Sequence, residues 1–289
     1  MPELAYVNGV FSSIADAKVS IEDRGFQFGD GVYEVIVAYG GKLFLLDDHI
    51  RRFRTSAEAI HLEYDFEGQP LEPILREGLR RSGLADVMIY VQITRGVAPR
   101  SHVIPPGMSP TVVMTFKPIP TVAEELRRRG GKVVTVRDNR WANCYVKAIT
   151  LLPNVLANND AIRRGCNDAV FVSPGGEVRE CTSANIYMIC GGALTFPPRT
   201  ESVLHGITQQ FVMGCAAGIG MSVCEESFTV DRLRSADEVF MSSTTVEVLG
   251  ITSIDGRIVG DGKVGPYTLR LHDEFRRRSR GRSLQRGSA

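Results

Sequence analysis

Apolar and polar residues along the first third of the chain sort into short β-rich runs separated by turns, ahead of a helix. Ala5-Tyr6-Val7-Asn8-Gly9-Val10-Phe11 sets Asn-Gly between apolar flanks, a pattern that predicts a hairpin. Val32 to Ala38 is rich in β-formers, and Gly40-Gly41 turns it into Leu43-Phe44-Leu45-Leu46, a second expected hairpin. Asp47 or Asp48 is expected to cap a helix running through Arg52, Phe53, Ala57 and Ile60. A further helix is predicted over residues 71–82, and buried strands over 87–94 and 111–117.

The pattern weakens at Pro118-Ile119-Pro120, which reads as a stiff connector and a domain boundary. Beyond it, strands are expected at 132–136, 169–172, 177–178, 185–189, 193–196, 238–242 and 246–250. Helices are expected at 154–164, ended by Gly165, at 208–217 after Gly206, and from Pro266 to Arg278. Ile254-Asp255-Gly256-Arg257-Ile258 is another hairpin. Strands and helices mixed with many hairpins argue for a mixed α+β or α/β fold over a doubly wound parallel sheet. No repeat of fixed period occurs. Gly214, Gly218 and Gly220 have the wrong spacing for a dinucleotide-binding or phosphate-binding glycine loop.

Composition narrows the field. With 43% hydrophobic and 23% charged residues the chain is ordinary for a soluble globular protein, and no apolar run approaches the length of a membrane span. The opening Met1-Pro2-Glu3-Leu4 has no basic and apolar leader pattern, so a cytoplasmic location is expected. The six cysteines form no CxxC pair and suggest reduced thiols, not a metal site. From Arg276 onward there are six arginines and no acid, although the whole chain carries only +1. Such a terminus suggests either a solvated tail or contact with an anionic partner. No basic face with interleaved aromatics extends it, so no nucleic-acid partner is expected.

Six segments carry candidate chemistry. Lys147 lies in Cys144-Tyr145-Val146-Lys147-Ala148-Ile149-Thr150-Leu151-Leu152, an amine in a largely apolar run. Burial there would favour the neutral, nucleophilic form that attacks carbonyls, while the alternative is a lysine reaching out to solvent. Glu180, beside Cys181-Thr182-Ser183-Ala184-Asn185 ahead of a strand, could accept a hydrogen bond from a ring nitrogen or be a turn residue. Gly206-Ile207-Thr208 precedes an apolar helix whose amino end could bind phosphate, and Ser242-Ser243-Thr244-Thr245 is a second hydroxyl-rich turn. Arg100 and His102, on a loop shaped by Gly96 and Pro99, could hold a carboxylate. In Asp47-Asp48-His49-Ile50-Arg51-Arg52-Phe53 helical spacing turns one arginine toward a pocket and leaves the other solvated. His49, His61, His205 and His272 read as surface or packing residues.

Taken together the segments resemble D-amino-acid aminotransferases. Asp23-Arg24-Gly25-Phe26-Gln27-Phe28-Gly29-Asp30-Gly31-Val32-Tyr33-Glu34-Val35 is similar to the family's amino-terminal signature, and Asp48-His49-Ile50-Arg51-Arg52-Phe53 to its next helix. Thr94-Arg95-Gly96 with Pro99-Arg100-Ser101-His102 resembles its substrate loop. Lys147 to Leu152, Glu180 to Asn185, Gly206-Ile207-Thr208, Ser243-Thr244-Thr245 and Asp261 to Pro266 follow in family order. The departures are Cys181 and Ala184, where serines are usual, and His205, where lysine is.

The resemblance implies the fold type IV architecture of pyridoxal 5'-phosphate enzymes, a homodimer, and substrates that are amino and keto acids. It implies a smaller amino-terminal α/β domain (1–117), a linker (118–122) and a larger cofactor-binding domain (123–275) with the cofactor between the two; the basic residues 276–289 lie outside the resemblance and read from their composition as a disordered tail. It assigns the Schiff-base linkage and proton transfer to Lys147, and a phosphate contact to Arg52. It pairs Glu180 with the pyridine nitrogen, and gives further phosphate donors to Ile207, Thr208, Ser243 and Thr244. Tyr33, Arg100 and His102 would bind the substrate carboxylate, the last two reaching across from a partner subunit. Branched-chain aminotransferases, aminodeoxychorismate lyases and (R)-amine transaminases share this scaffold; Tyr33 with Arg100-Ser101-His102 is what resembles the D-amino-acid group. A reading of another class is a non-catalytic anion-binding protein that uses the arginine terminus.

Overall fold

A computed structural model describes residues 3–281. The chain divides into two compact units, Met1–Pro120 with Val146–Leu151, and Thr121–Tyr145 with Leu152–Ala289. One break falls between Pro120 and Thr121, directly after the Pro118-Ile119-Pro120 connector, and the segment carrying Lys147 groups with the first unit, whereas the sequence alone placed it in the second.

The first unit contains β1 (Leu4–Val7), β2 (Val10–Ser13), α1 (Arg24–Phe28), β3 (Gly31–Tyr39), β4 (Lys42–Leu43), α2 (Leu46–Ala59), α3 (Leu71–Ser82), β5 (Val87–Thr94) and β6 (Thr111–Pro118). Its six strands form one antiparallel sheet in the order β2-β1-β6-β5-β3-β4. Asn8 and Gly9 both take positive φ, as a two-residue hairpin turn requires. The second hairpin is shorter than expected. Phe44 and Leu45 leave the strand, and α2 begins at Leu46 after a left-handed Leu45. Asp47 and Asp48 lie inside the first turn, where they meet the positive end of the helix dipole, and neither is the cap. Val32, Ile36, Ile89, Val91, Ile93, Met114 and Phe116 point from the sheet into a core closed by Phe53 and Leu75 of the helices.

The second unit runs α4 (Glu124–Arg129), β7 (Gly131–Arg137), α5 (Leu152–Arg163), β8 (Asp168–Val172), β9 (Val178–Cys181), β10 (Asn185–Cys190), β11 (Ala193–Phe196), α6 (Ile207–Gly218), β12 (Val223–Glu225), α7 (Val230–Arg234), β13 (Glu238–Ser243), β14 (Glu247–Ile254), β15 (Arg257–Ile258) and α8 (Pro266–Arg280). The mixed sheet has the order β12-β11-β10-β13-β14-β7-β8-β9, with β15 on β14. Parallel pairs β11/β12, β14/β7 and β7/β8 interrupt an otherwise antiparallel arrangement. One core lies among Val133, Val170, Ile186, Met188, Phe228, Leu233, Val239 and Ile251.

The arginine terminus departs from expectation. Residues 276–280 are not a tail but the last turns of α8, and Arg276 and Arg280 both reach the carboxylate of Glu247. The burial of that acid is what recruits them. Residues 282–289, the rest of the expected tail, lie outside the described residues. No helix among the described residues is long and apolar enough to cross a membrane.

Candidate active site

In the first unit Lys147 is held by its backbone. Its carbonyl accepts the Tyr33 N–H at 3.0 Å, its own N–H donates to Ser56 Oγ at 3.1 Å, and Ile149 N–H donates to the Gly31 carbonyl. The half-buried side chain sets Nζ 4.2 Å from the centre of the Tyr33 ring. Tyr33 is itself stacked on Tyr90, with ring centres 5.6 Å apart. The segment is extended but is not a regular strand; a single bridge, Ala148 to Val32, joins it to the sheet.

The next residue on β3, Glu34, points to the opposite face, toward α2. Its carboxylate is fully buried and takes a bidentate grip from Arg52, with Nε at 2.7 Å and Nη2 at 2.8 Å, and a contact from His49 Nδ1 at 2.8 Å. Burial opposes ionisation, yet the charges of Arg52 and His49 and their hydrogen bonds hold the carboxyl far below the usual carboxylate range. Arg51, 70% exposed, pairs with Asp48, whereas Arg52 is 11% exposed, so adjacent arginines do diverge. His49 is no surface residue: it is buried in this ion network.

Arg100 and His102 come together on one ring. The guanidinium carbon of Arg100 lies 4.6 Å from the centre of Phe28, and the His102 ring meets Phe28 edge-on at 5.6 Å. Arg24 joins them at 4.9 Å and also donates to Asp30 and to the Ser101 carbonyl. The loop is pinned at its base by Gly96, whose φ of 102° and whose approach to the Ser109 carbonyl exclude a side chain. Among the described residues no contact joins Tyr33 to Arg100 or His102.

In the second unit Glu180 lies within β9, 5% exposed, and not in a turn before a strand. It accepts from Arg140 Nη1 at 2.5 Å and from the Leu204 N–H at 3.1 Å. Arg140 is clamped in turn by Asp138 and lies over the Phe171 ring. Asn185 connects this acid to the entry of α6, donating to the Leu204 carbonyl at 3.0 Å. A Cβ on Gly206 would sit 2.1 Å from Asn185 Oδ1, so residue 206 is glycine for space. As N-cap it supplies no side chain, and the first N–H groups of α6, at Ile207 and the buried Thr208, are uncapped. Ser242 pairs in register with Asn185, and Ser243, Thr244 and Thr245 form the half-buried bend into β14. Below that bend Glu247, with φ of 64°, is ringed by Arg127, His272, Arg276 and Arg280. His205 is exposed, its Nε2 3.1 Å from the Thr200 carbonyl.

Glu34, Arg140, Arg24, Phe28 and Glu247 were absent from the sequence-derived site. The period-two pattern of β3 could have exposed Glu34, since it places an acid on the same face as Val32 and Ile36. Nothing local marks Glu247 or the pairing of Arg140 with Glu180; apart from Asp138 beside Arg140, their partners are distant in sequence.

Comparison with known proteins follows the same lines. The amino-transferase class IV family model matches residues 31–254. A D-alanine aminotransferase of Staphylococcus haemolyticus is 40% identical over 96% of this chain and 98% of its own. One from Listeria monocytogenes serotype 4b (strain F2365) is 41% identical over 93% of each. Among solved structures, a branched-chain amino acid aminotransferase from Escherichia coli superposes with a TM-score of 0.88 at 26% identity, covering 100% of this chain and 98% of its own. A second branched-chain enzyme, solved with pyridoxamine 5'-phosphate, superposes with a TM-score of 0.90 at 28% identity, covering 99% of this chain and 96% of its own. The fold is therefore that of fold type IV aminotransferases, and the chain belongs to the amino-transferase class IV family.

Proposed function

We propose that this protein transfers the amino group of a D-amino acid of the D-alanine type to a 2-oxo acid such as 2-oxoglutarate, using pyridoxal 5'-phosphate. The observation that carries the reading is Lys147: an amine fixed at its backbone on both sides and set beside Tyr33. The 40% identity to D-alanine aminotransferases over nearly the whole chain supports the substrate class.

The donor set fits the cofactor. A lysine suits its aldehyde, a buried carboxylate at Glu180 suits its ring nitrogen, and an uncapped helix amino end beside hydroxyl groups suits its phosphate. When bound, pyridoxal phosphate supplies an electron sink for the pair left on the substrate's α-carbon. Lys147 Nζ takes the α-proton as general base and later returns a proton. Glu180, paired with Arg140, would accept a hydrogen bond from a protonated ring nitrogen of the cofactor. Arg52, its guanidinium plane set by Glu34, would hold the phosphate, and Ile207, Thr208, Ser243 and Thr244 would donate to the same group. Tyr33, Arg100 and His102 hold the substrate carboxylate, which decides which face of the α-carbon meets Lys147.

The active form is a homodimer. Leu152, Val155, Leu156 and Ile162 lie exposed along α5, an apolar stripe that a second copy would cover. The arginine-tail reading loses support, because Arg276 and Arg280 are engaged by Glu247.

The purified protein is expected to be yellow, and borohydride reduction should place the cofactor mass on Lys147. Lys147→Ala should lose at least about a thousandfold in turnover. D-Alanine should react in a panel that includes L-leucine and a simple amine. Turnover of L-leucine without D-alanine, the pattern of a branched-chain enzyme, would defeat the substrate assignment.

A further inference from the structure

We propose that Phe28 is a positioning residue for recognition of the substrate carboxylate, acting through Arg100 and His102. The proposal rests on the carboxylate role given to those two side chains above. Among the described residues neither Arg100 nor His102 makes a hydrogen bond or an ion pair; the contact they share is the ring of Phe28. Both are exposed, on a loop with no regular structure. Left alone, such side chains would sample many rotamers, and ordering them would weaken binding.

The ring answers this without using a donor. A guanidinium held over a π-face keeps all its N–H groups for a carboxylate, and an imidazole packed edge-on keeps its ring nitrogens. A salt bridge in the same place would align the arginine but neutralise it.

The ring is itself anchored. Phe28 ends α1, whose N-cap Asp23 accepts the Gly25 N–H at 2.8 Å and the Thr94 hydroxyl at 3.0 Å. Gly29, at φ 68°, closes the other end by donating to the carbonyls of Arg24 and Gly25. Arg24 packs on the same ring and ties α1 to the loop, with Nη1 2.6 Å from the Ser101 carbonyl, midway between the two ligand-binding residues. A five-residue helix stapled at both ends thus carries the ring that two otherwise untethered side chains share.

The test compares Phe28→Leu, which keeps apolar bulk and loses the ring, with Phe28→Tyr, which keeps it. Each holoenzyme is assayed with D-alanine and 2-oxoglutarate, alongside its melting temperature and cofactor absorbance. The expected result for Phe28→Leu is a KM for both substrates raised about tenfold, with kcat within about twofold of the parent. Phe28→Tyr should restore the parental KM, which a purely structural role for bulk would not require. Unchanged KM in a folded, cofactor-loaded Phe28→Leu enzyme overturns the proposal and leaves the D-alanine assignment standing. If Phe28→Leu does not fold, a Phe28→Tyr enzyme whose KM stays at the parental value supports it, and one raised tenfold overturns it. A parent enzyme with no D-alanine turnover overturns the functional reading, and this proposal with it.

Discussion

At the scale of single residues, the two buried acids of the candidate site, Glu34 and Glu180, are held by partners of opposite sign, not by solvent. Glu180 illustrates the cost of removing one. Arg140→Met would leave a carboxylate, 6% exposed in its side chain, facing only the Leu204 N–H and the Asn185 amide among the partners described above. Loss of one member of a buried pair costs about 3 kcal/mol, so urea unfolding should show a drop of that order. The same variant should weaken the hold on a protonated ring nitrogen, visible as a change in the pH dependence of the cofactor's absorbance. An unaltered denaturation midpoint would show that Glu180 does not depend on Arg140. Arg52 and Glu34 follow the same logic in the other unit, where the acid fixes the plane in which the guanidinium can meet an anion.

At the scale of elements, the bend between β13 and β14 is braced from below. Burial would raise the Glu247 carboxyl, but the His272 hydrogen bond and the Arg280 and Arg276 charges overcome it and hold its pKa at about 2, against an ordinary 4.5. A pKa depressed in the folded state contributes stability in full above about 4.5 and loses it as pH falls toward 2. Glu247→Gln should therefore flatten the acid limb of a stability–pH curve in that window, and lower stability at neutral pH by on the order of 3 kcal/mol. An acid limb identical to the parent's would place the pH dependence elsewhere. Most elements were legible in the sequence, because hairpins at Asn8-Gly9 and Asp255-Gly256 and helices ended by Gly83 and Gly165 depend on local residue chemistry. What escaped was the start of α2, decided by a left-handed Leu45, the short helices α1, α4 and α7, and the anchoring of Arg276 and Arg280 by an acid far upstream in the chain. Of the candidate site, family order named Lys147, Glu180 and Gly206. The residues that aim it, Glu34, Arg140 and Phe28, depend on pairings between distant segments that a linear pattern does not carry.

At the scale of the molecule, the apolar stripe of Leu152, Val155, Leu156 and Ile162 is the feature the single chain leaves unsatisfied. Leu156→Glu should shift the mass found by light scattering from a dimer toward a monomer, and a parent protein already monomeric at micromolar concentration would remove the homodimer from the reading. The ring of cations around Glu247 has a different reach. Three of them, His272, Arg276 and Arg280, come from α8, later in the chain than the hairpin they brace. The hydroxyl-bearing bend at 243–245 thus draws its support from a helix well downstream, so a polypeptide cut before residue 272 would lose three of the cations that surround Glu247.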